Sequence, residues 1–187
     1  MNLDKAIKTR ASIKNYSDKK PSELKILDAI EAANLAPSPG NLNILKFIII
    51  EDSEKIDKIA QACQQPFIKK AQIIVAVCSD SKKIDIMYDK RADKYIKQYV
   101  GAAIENFLLK ITDMGLASCW VGAFSEITIK NTLKIPDNIE VQAILPIAYK
   151  SKTDKTKQKP KTNIGNIIYF ETWDNKYKNK ERKIGGH

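Results

Sequence analysis

Ile73-Ile74-Val75-Ala76-Val77-Cys78 is the clearest strand signal in this chain. Six apolar residues in a row, four of them β-branched, are too few for a buried helix. They suit a strand covered on both faces. Upstream, Leu45–Ile50 is a second β-rich apolar run. Between the two, Ser53 is expected to cap a helix running to about Gln64, with Pro66 breaking it. Downstream, a charged stretch from Ser81 to Lys90 leads into a long helical segment, 91–114. Within that segment Val100-Gly101-Ala102-Ala103-Ile104 is apolar all round, as in a helix packed on both sides, and its small residues permit close approach of another element. Gly115 is the expected helix end.

Farther out the pattern stays mixed. Residues 2–9 read as a short helix with Leu3, Ala6 and Ile7 on one face. Pro21-Ser22 opens another to about Leu35, with Leu24, Leu27, Ile30 and Ala33 recurring every three residues and Ile26 and Ala29 widening the stripe; the Pro37 and Pro39 pair stops it. Ser118–Phe124 reads as a short strand and turn, Glu126–Leu133 as a helix, Pro136-Asp137-Asn138 as a turn and Val141–Tyr149 as a strand. The order lacks a strict strand–helix–strand rhythm, so an α+β fold is expected. No internal repeat, Walker motif or G-x-G-x-x-G string occurs.

A chain of 187 residues, 43% of them hydrophobic, is expected to form one globular domain, 1–187. No apolar run approaches the roughly 20 residues needed to span a bilayer, and no h-region follows the first residues. The three cysteines, Cys63, Cys78 and Cys119, are far apart and form no metal or disulfide pattern, so reduced thiols and a cytoplasmic location are expected. The only histidine is His187, which nearly excludes histidine catalysis and histidine metal sites inside the fold. The net charge is +10, but residues 150–187 hold 11 Lys or Arg against 4 Asp or Glu, leaving an ordinary balance elsewhere. The basic excess is a tail property and does not by itself indicate nucleic-acid recognition. The tail also holds Ile167, Ile168, Tyr169, Phe170 and Trp173, which are costly to leave in water and need a docking surface.

Two short segments near the start carry candidate chemistry. In Arg10-Ala11-Ser12-Ile13-Lys14, two cations and a hydroxyl alternate, so an extended segment points all three one way. Ala36-Pro37-Ser38-Pro39-Gly40-Asn41 is a turn that exposes N–H groups, a hydroxyl and an amide. Together they suit an anion carrying a polar chain and a flat polar ring edge. The alternative for the first segment is a solvated basic patch.

These segments, taken with three others in order along the chain, resemble the nitroreductase family of flavin-dependent NAD(P)H oxidoreductases. Arg10–Lys14 is similar to the family's opening R-R-S-[IV]-R/K, and Ala32–Asn41 to its A-A-x-x-A-P-S-x-x-N element. Gly101–Leu109 with Gly115-Leu116 resembles its central helix, Ser118–Phe124 its flavin-facing turn, and Leu145–Tyr149 its L-P-x-G-Y strand. Three positions depart from the pattern. Asn41-Leu42-Asn43-Ile44-Leu45 replaces N-x-Q-P-W, Tyr99 stands where the central helix usually has an acid, and Ala148 replaces a glycine.

The resemblance implies a homodimer whose central, mostly antiparallel sheet is flanked by helices. It implies FMN in two interfacial clefts and a domain-swapped C-terminal segment, residues 150–187, embracing the partner subunit. It assigns Arg10, Ser12, Lys159 and Lys161 to the phosphate and Lys14 to the flavin N1–C2=O edge. Pro37, Ser38, Asn41 and Asn43 go to the ring or ribityl chain, and the N–H groups of Gly122 or Ala123 to N5. Trp120 and Phe124 are expected to pack. No protein acid, base, nucleophile or metal is expected. The implied reaction is ping-pong hydride transfer from NAD(P)H to an acceptor such as a nitroaromatic or quinone, with no nucleic-acid or membrane partner. A non-catalytic flavin store or sensor of the same fold is the alternative. A basic nucleic-acid-binding domain, with Tyr169, Phe170, Trp173 and Tyr177 beside the tail lysines, is a third reading.

Overall fold

A computed structural model describes residues 2–156, 160 and 162–176. The chain divides into two units, one through residue 157 and the other from residue 158.

In the first unit the central feature is a four-stranded antiparallel sheet. Strands β1 (Leu45–Ile50), β2 (Ile73–Ser79), β3 (Ala117–Ser118) and β4 (Glu140–Ala148) lie in the order β1-β2-β4-β3. Every residue of β2 is buried, because the strand has a neighbour on each edge and helices over each face. The side-chain alternation of a strand sorts its residues between two cores. Ile73, Val75 and Val77 join Ala143, Leu145 and Ile147 against helices α2 (Glu23–Asn34) and α5 (Ala92–Asp113). Ile74, Ala76 and Cys78 join Val141 and Ile144 against α3 (Ser53–Ala62) and α6 (Glu126–Leu133). A register shift at Val77/Cys78 accommodates one extra residue in β4, keeping both sets facing their own core.

The helices agree with the sequence pattern in place more than in burial. The cap of α3 is Asp52, whose carboxylate accepts the Lys55 N–H, rather than Ser53, which is the first helical residue. On α2 the buried face is Ile26, Ala29 and Ala33, while Leu24 and Leu27 are exposed. On α1 (Leu3–Thr9) only Ala6 is buried, and Leu3 and Ile7 face outward. The charged stretch after β2 contains a further helix, α4 (Lys82–Tyr88), anchored by the buried Ile84. Gly115 ends α5 as expected, at φ +73°, a conformation open to glycine. No helix among the described residues is long and apolar enough to cross a membrane.

The second unit is short. Ile164–Asn166 form a single 3-10 turn, Tyr169 stacks on Trp173 at 4.6 Å, and the Lys176 ammonium sits 3.7 Å from the Tyr169 ring centre. Ile167 and Trp173 are exposed.

Candidate functional site

The opening segment lies along the edge strand β3. The Ile13 N–H donates to the Ser118 carbonyl at 3.0 Å, Ser12 bridges Ser118 in parallel, and the Ser17 N–H donates to the Tyr149 carbonyl. Ile13 and Tyr16 are buried with Ala71, Ala117 and Ala148, and with Phe67 packed against them. Burying an Ile side chain contributes roughly 1.5–3 kcal/mol, enough to fix which way this short segment faces. Alternation then puts Ser12 and Lys14 on the opposite, exposed side. The Lys14 ammonium stands 5.1 Å from the Phe67 ring centre. Arg10 is half-buried as the C-cap of α1, and its Nε pairs with Glu105 of α5 at 3.3 Å.

Immediately after β3 the chain turns at Val121, whose backbone pairs with Ile144. Gly122 and Ala123 follow, both exposed, and neither N–H has a backbone acceptor among the described residues. Cys119 sits at the root of this turn, buried. Burial pushes its thiol pKa up, while the Lys14 charge and a hydrogen bond from Ser12 pull it down. Only the fold brings Cys119 near Ser12 and Lys14, because nothing in spacing alone joins positions more than a hundred residues apart. The Ser118 hydroxyl and the Tyr16 hydroxyl are buried without a hydrogen-bond partner. Burial holds the Tyr16 pKa far above its ordinary value, with the Cys119 and Asp154 charges adding to the effect.

The second segment forms its own feature. After α2, Pro39–Asn41 make a 3-10 turn with Gly40 at φ +58° and Asn41 at φ +57°. The turn borders a pocket of about 480 Å³ lined by Pro37, Ser38, Pro39, Tyr88, Tyr95, Gln98, Tyr99 and Ala102. Tyr88 and Tyr95 meet edge to face at 5.0 Å. The Tyr99 hydroxyl donates to the Asn43 side-chain carbonyl at 3.1 Å. The aromatic wall was absent from the sequence reading of the site, although Tyr95 and Tyr99, one helical turn apart on α5, carry a signal for it. Among the described residues, no hydrogen bond or ion pair joins Arg10, Ser12 or Lys14 to Pro37, Ser38, Asn41 or Asn43 within one chain. Lys159 and Lys161 lie outside the described residues.

The donor set determines what fits. Along the β3 edge stand the Ser12 hydroxyl, the Lys14 ammonium and the N–H groups of Gly122 and Ala123, with the Arg10 guanidinium nearby, paired with Glu105, and the Asp154 carboxylate close enough to act on Tyr16. Such a surface suits a ligand rich in acceptors and carrying an anionic group. FMN has that chemistry in its phosphate, its carbonyl oxygens and its ring nitrogens. No group of three or more metal-ligating side chains is clustered among the described residues.

The fold is α+β, and its β3 edge presents several hydrogen-bond donors on one exposed side. Comparison with known proteins gives the family. A model described as the nitroreductase family matches residues 7–72 and 59–149, and the chain belongs to that family. An Archaeoglobus fulgidus protein named "Putative NADH dehydrogenase/NAD(P)H nitroreductase" is 33% identical over 150 residues, spanning 78% of this chain and 83% of its own length. An FMN reductase [NAD(P)H] of Bacillus subtilis is 28% identical over 114 residues, 60% of this chain and 45% of that protein. The crystal structure of a nitroreductase family protein from Clostridium difficile 630 is 29% identical, with a TM-score of 0.79 over 92% of this chain and 99% of that one.

Proposed function

We propose that this chain is an FMN-dependent NAD(P)H oxidoreductase, working as a homodimer with a nitroaromatic, a quinone or a similar compound as acceptor. The observation that carries the reading is the common exposed side of Ser12 and Lys14 on a segment hydrogen-bonded to β3, beside the free N–H groups of Gly122 and Ala123. Family membership and the FMN reductase relative support the cofactor and the donor.

FMN, when bound, supplies the two-electron chemistry. The chain's residues bind and tune it. Arg10 and Ser12 face the phosphate, with Lys159 and Lys161 adding charge. Lys14 places a fixed cation at the N1–C2=O edge, where reduction accumulates negative charge, and so favours the reduced form. Gly122 or Ala123 offers an N–H to N5. Pro37, Ser38, Asn41 and Asn43 hold the ring or ribityl chain from a second copy, in keeping with the lack of any bond between them and the opening segment in one chain. Residues 150–187 embrace that second copy, which gives the exposed Ile167 and Trp173 a docking surface.

Purified protein is expected to be yellow, to be bleached anaerobically by NADH or NADPH, and to oxidise that donor steadily when a quinone or nitroaromatic is added. Protein that takes up no FMN refutes the reading. Protein that binds FMN but is reduced by neither nicotinamide is a flavin store or sensor instead.

A further inference from the structure

Tyr99 combines two properties that seldom occur together. Its side chain is 1% exposed, fixed in the core among Ala33, Ile96 and Ala103 of the α2–α5 cluster. Its hydroxyl nevertheless reaches a surface residue, Asn43, on the segment leading from the proline turn into β1. The two positions are 56 residues apart in sequence. They are also two of the three places where the chain departs from the pattern it otherwise follows.

The bond has a direction. A phenol whose proton has no other acceptor among the described residues must donate to Asn43 Oδ1, since an unmet buried donor costs about 1–3 kcal/mol. The ring cannot swing away to find a partner, because packing holds it. The amide of Asn43 is the mobile member. Rotated by half a turn it has almost the same shape, and on the surface little else selects one orientation.

We propose that Tyr99 is a positioning residue for the flavin site: its hydroxyl holds the Asn43 amide with the carbonyl turned inward, so that the Nδ2 donor faces the isoalloxazine edge. This rests on the proposed FMN site. A flavin ring edge offers acceptors at O2, N1, O4 and N5 and a single donor at N3. A fixed NH₂ group therefore selects an acceptor position, and it binds more tightly as that edge gains charge on reduction. Tyr99 touches no cofactor atom itself and acts through Asn43.

The test is a double-mutant cycle read by FMN dissociation constant, flavin absorption spectrum and reduction potential. Tyr99→Phe keeps the ring and its packing. Loss of one positioned hydrogen bond is expected to weaken FMN binding about two- to tenfold, shift the flavin band and lower the potential. Asn43→Ala is expected to give a loss at least as large. Adding Tyr99→Phe to Asn43→Ala should then change nothing further, because the group through which Tyr99 acts is gone. Equal and additive losses in both backgrounds overturn the proposal, as does a Tyr99→Phe protein with the wild-type affinity, spectrum and potential. If Asn43→Ala alone leaves FMN binding intact, Asn43 does not face the ring and the positioning role falls while the enzyme remains. If the wild-type protein takes up no FMN, the functional reading itself falls.

Discussion

Gly40→Ala probes whether the proline turn is held in the strained shape that the site requires. Gly40 has φ +58°, and a Cβ built there comes 2.8 Å from Met87 Sδ and 3.2 Å from the Tyr88 hydroxyl. The left-handed backbone costs an L-residue roughly 1–2 kcal/mol. A stiffer unfolded chain returns about 0.4–1 kcal/mol. Met87 is 53% exposed and flexible, so its sulfur gives way at small cost, whereas Tyr88 is packed edge-on against Tyr95 and yields less. The net expectation is a loss of about 1–2 kcal/mol, or about 2–8 °C in Tm for a chain of this size. Gly115→Ala is the control, because Gly115 has φ +73° with no atom within 4 Å of the added Cβ, and so carries the backbone cost alone. Urea unfolding of both variants, with and without Met87→Ala, separates backbone strain from collision. FMN titration should show weaker binding for Gly40→Ala and unchanged binding for Gly115→Ala. A Gly40→Ala protein as stable as wild type, with the same FMN affinity, would refute the reasoning.

Arg10→Ala should weaken FMN binding roughly tenfold to a hundredfold, the loss of one charge-assisted phosphate contact of about 1.5–3 kcal/mol; an unchanged dissociation constant at matched ionic strength would leave Arg10 only its ion pair with Glu105. Lys14→Gln should keep FMN but lower its two-electron potential by tens of millivolts, since about 30 mV corresponds to roughly 1.4 kcal/mol; anaerobic titration against a reference dye checks it, and a shift of only a few millivolts removes Lys14 from the ring edge. Burial pushes the Cys63 thiol up to about 11; the Cys78 thiol also rises to about 11, through burial first and Glu126 second, against Lys130. In the unfolded chain these thiols ionise near 9.0, so above that pH the unfolded state releases protons that the folded state retains. Stability should therefore fall as pH rises from about 9 through about 11, and Cys63→Ala and Cys78→Ala should each flatten that fall in urea midpoints; an identical slope in the variants would show that other groups cause it.

Local pattern determined a great deal of this protein. The ends of β1, α5 and α6 lie within a residue or two of where the apolar runs begin and stop, because strand propensity, helix periodicity and Gly115 act on neighbouring residues. The continuous run of β2 signals a strand with a core on each side, and the structure puts one there. The family was legible too, from five short motifs in order.

Tertiary structure decided the rest, because burial and pairing depend on what lies across the fold. All of the apolar positions on α2 look equivalent along the helix, yet only the stripe facing α5 and the sheet is covered, leaving Leu24 and Leu27 outside. The buried Ile84 and the packing of Tyr88 on Tyr95 anchor α4 in a stretch that the sequence marks only by its charges. The ion pair of Arg10 with Glu105, the approach of Ser12 and Lys14 to Cys119, and the hydroxyl of Tyr99 on Asn43 join residues far apart in sequence. No spacing rule reaches that far: the sequence supplies the side chains, and the packing of α5 against the sheet and of the opening segment against β3 determines which of them meet.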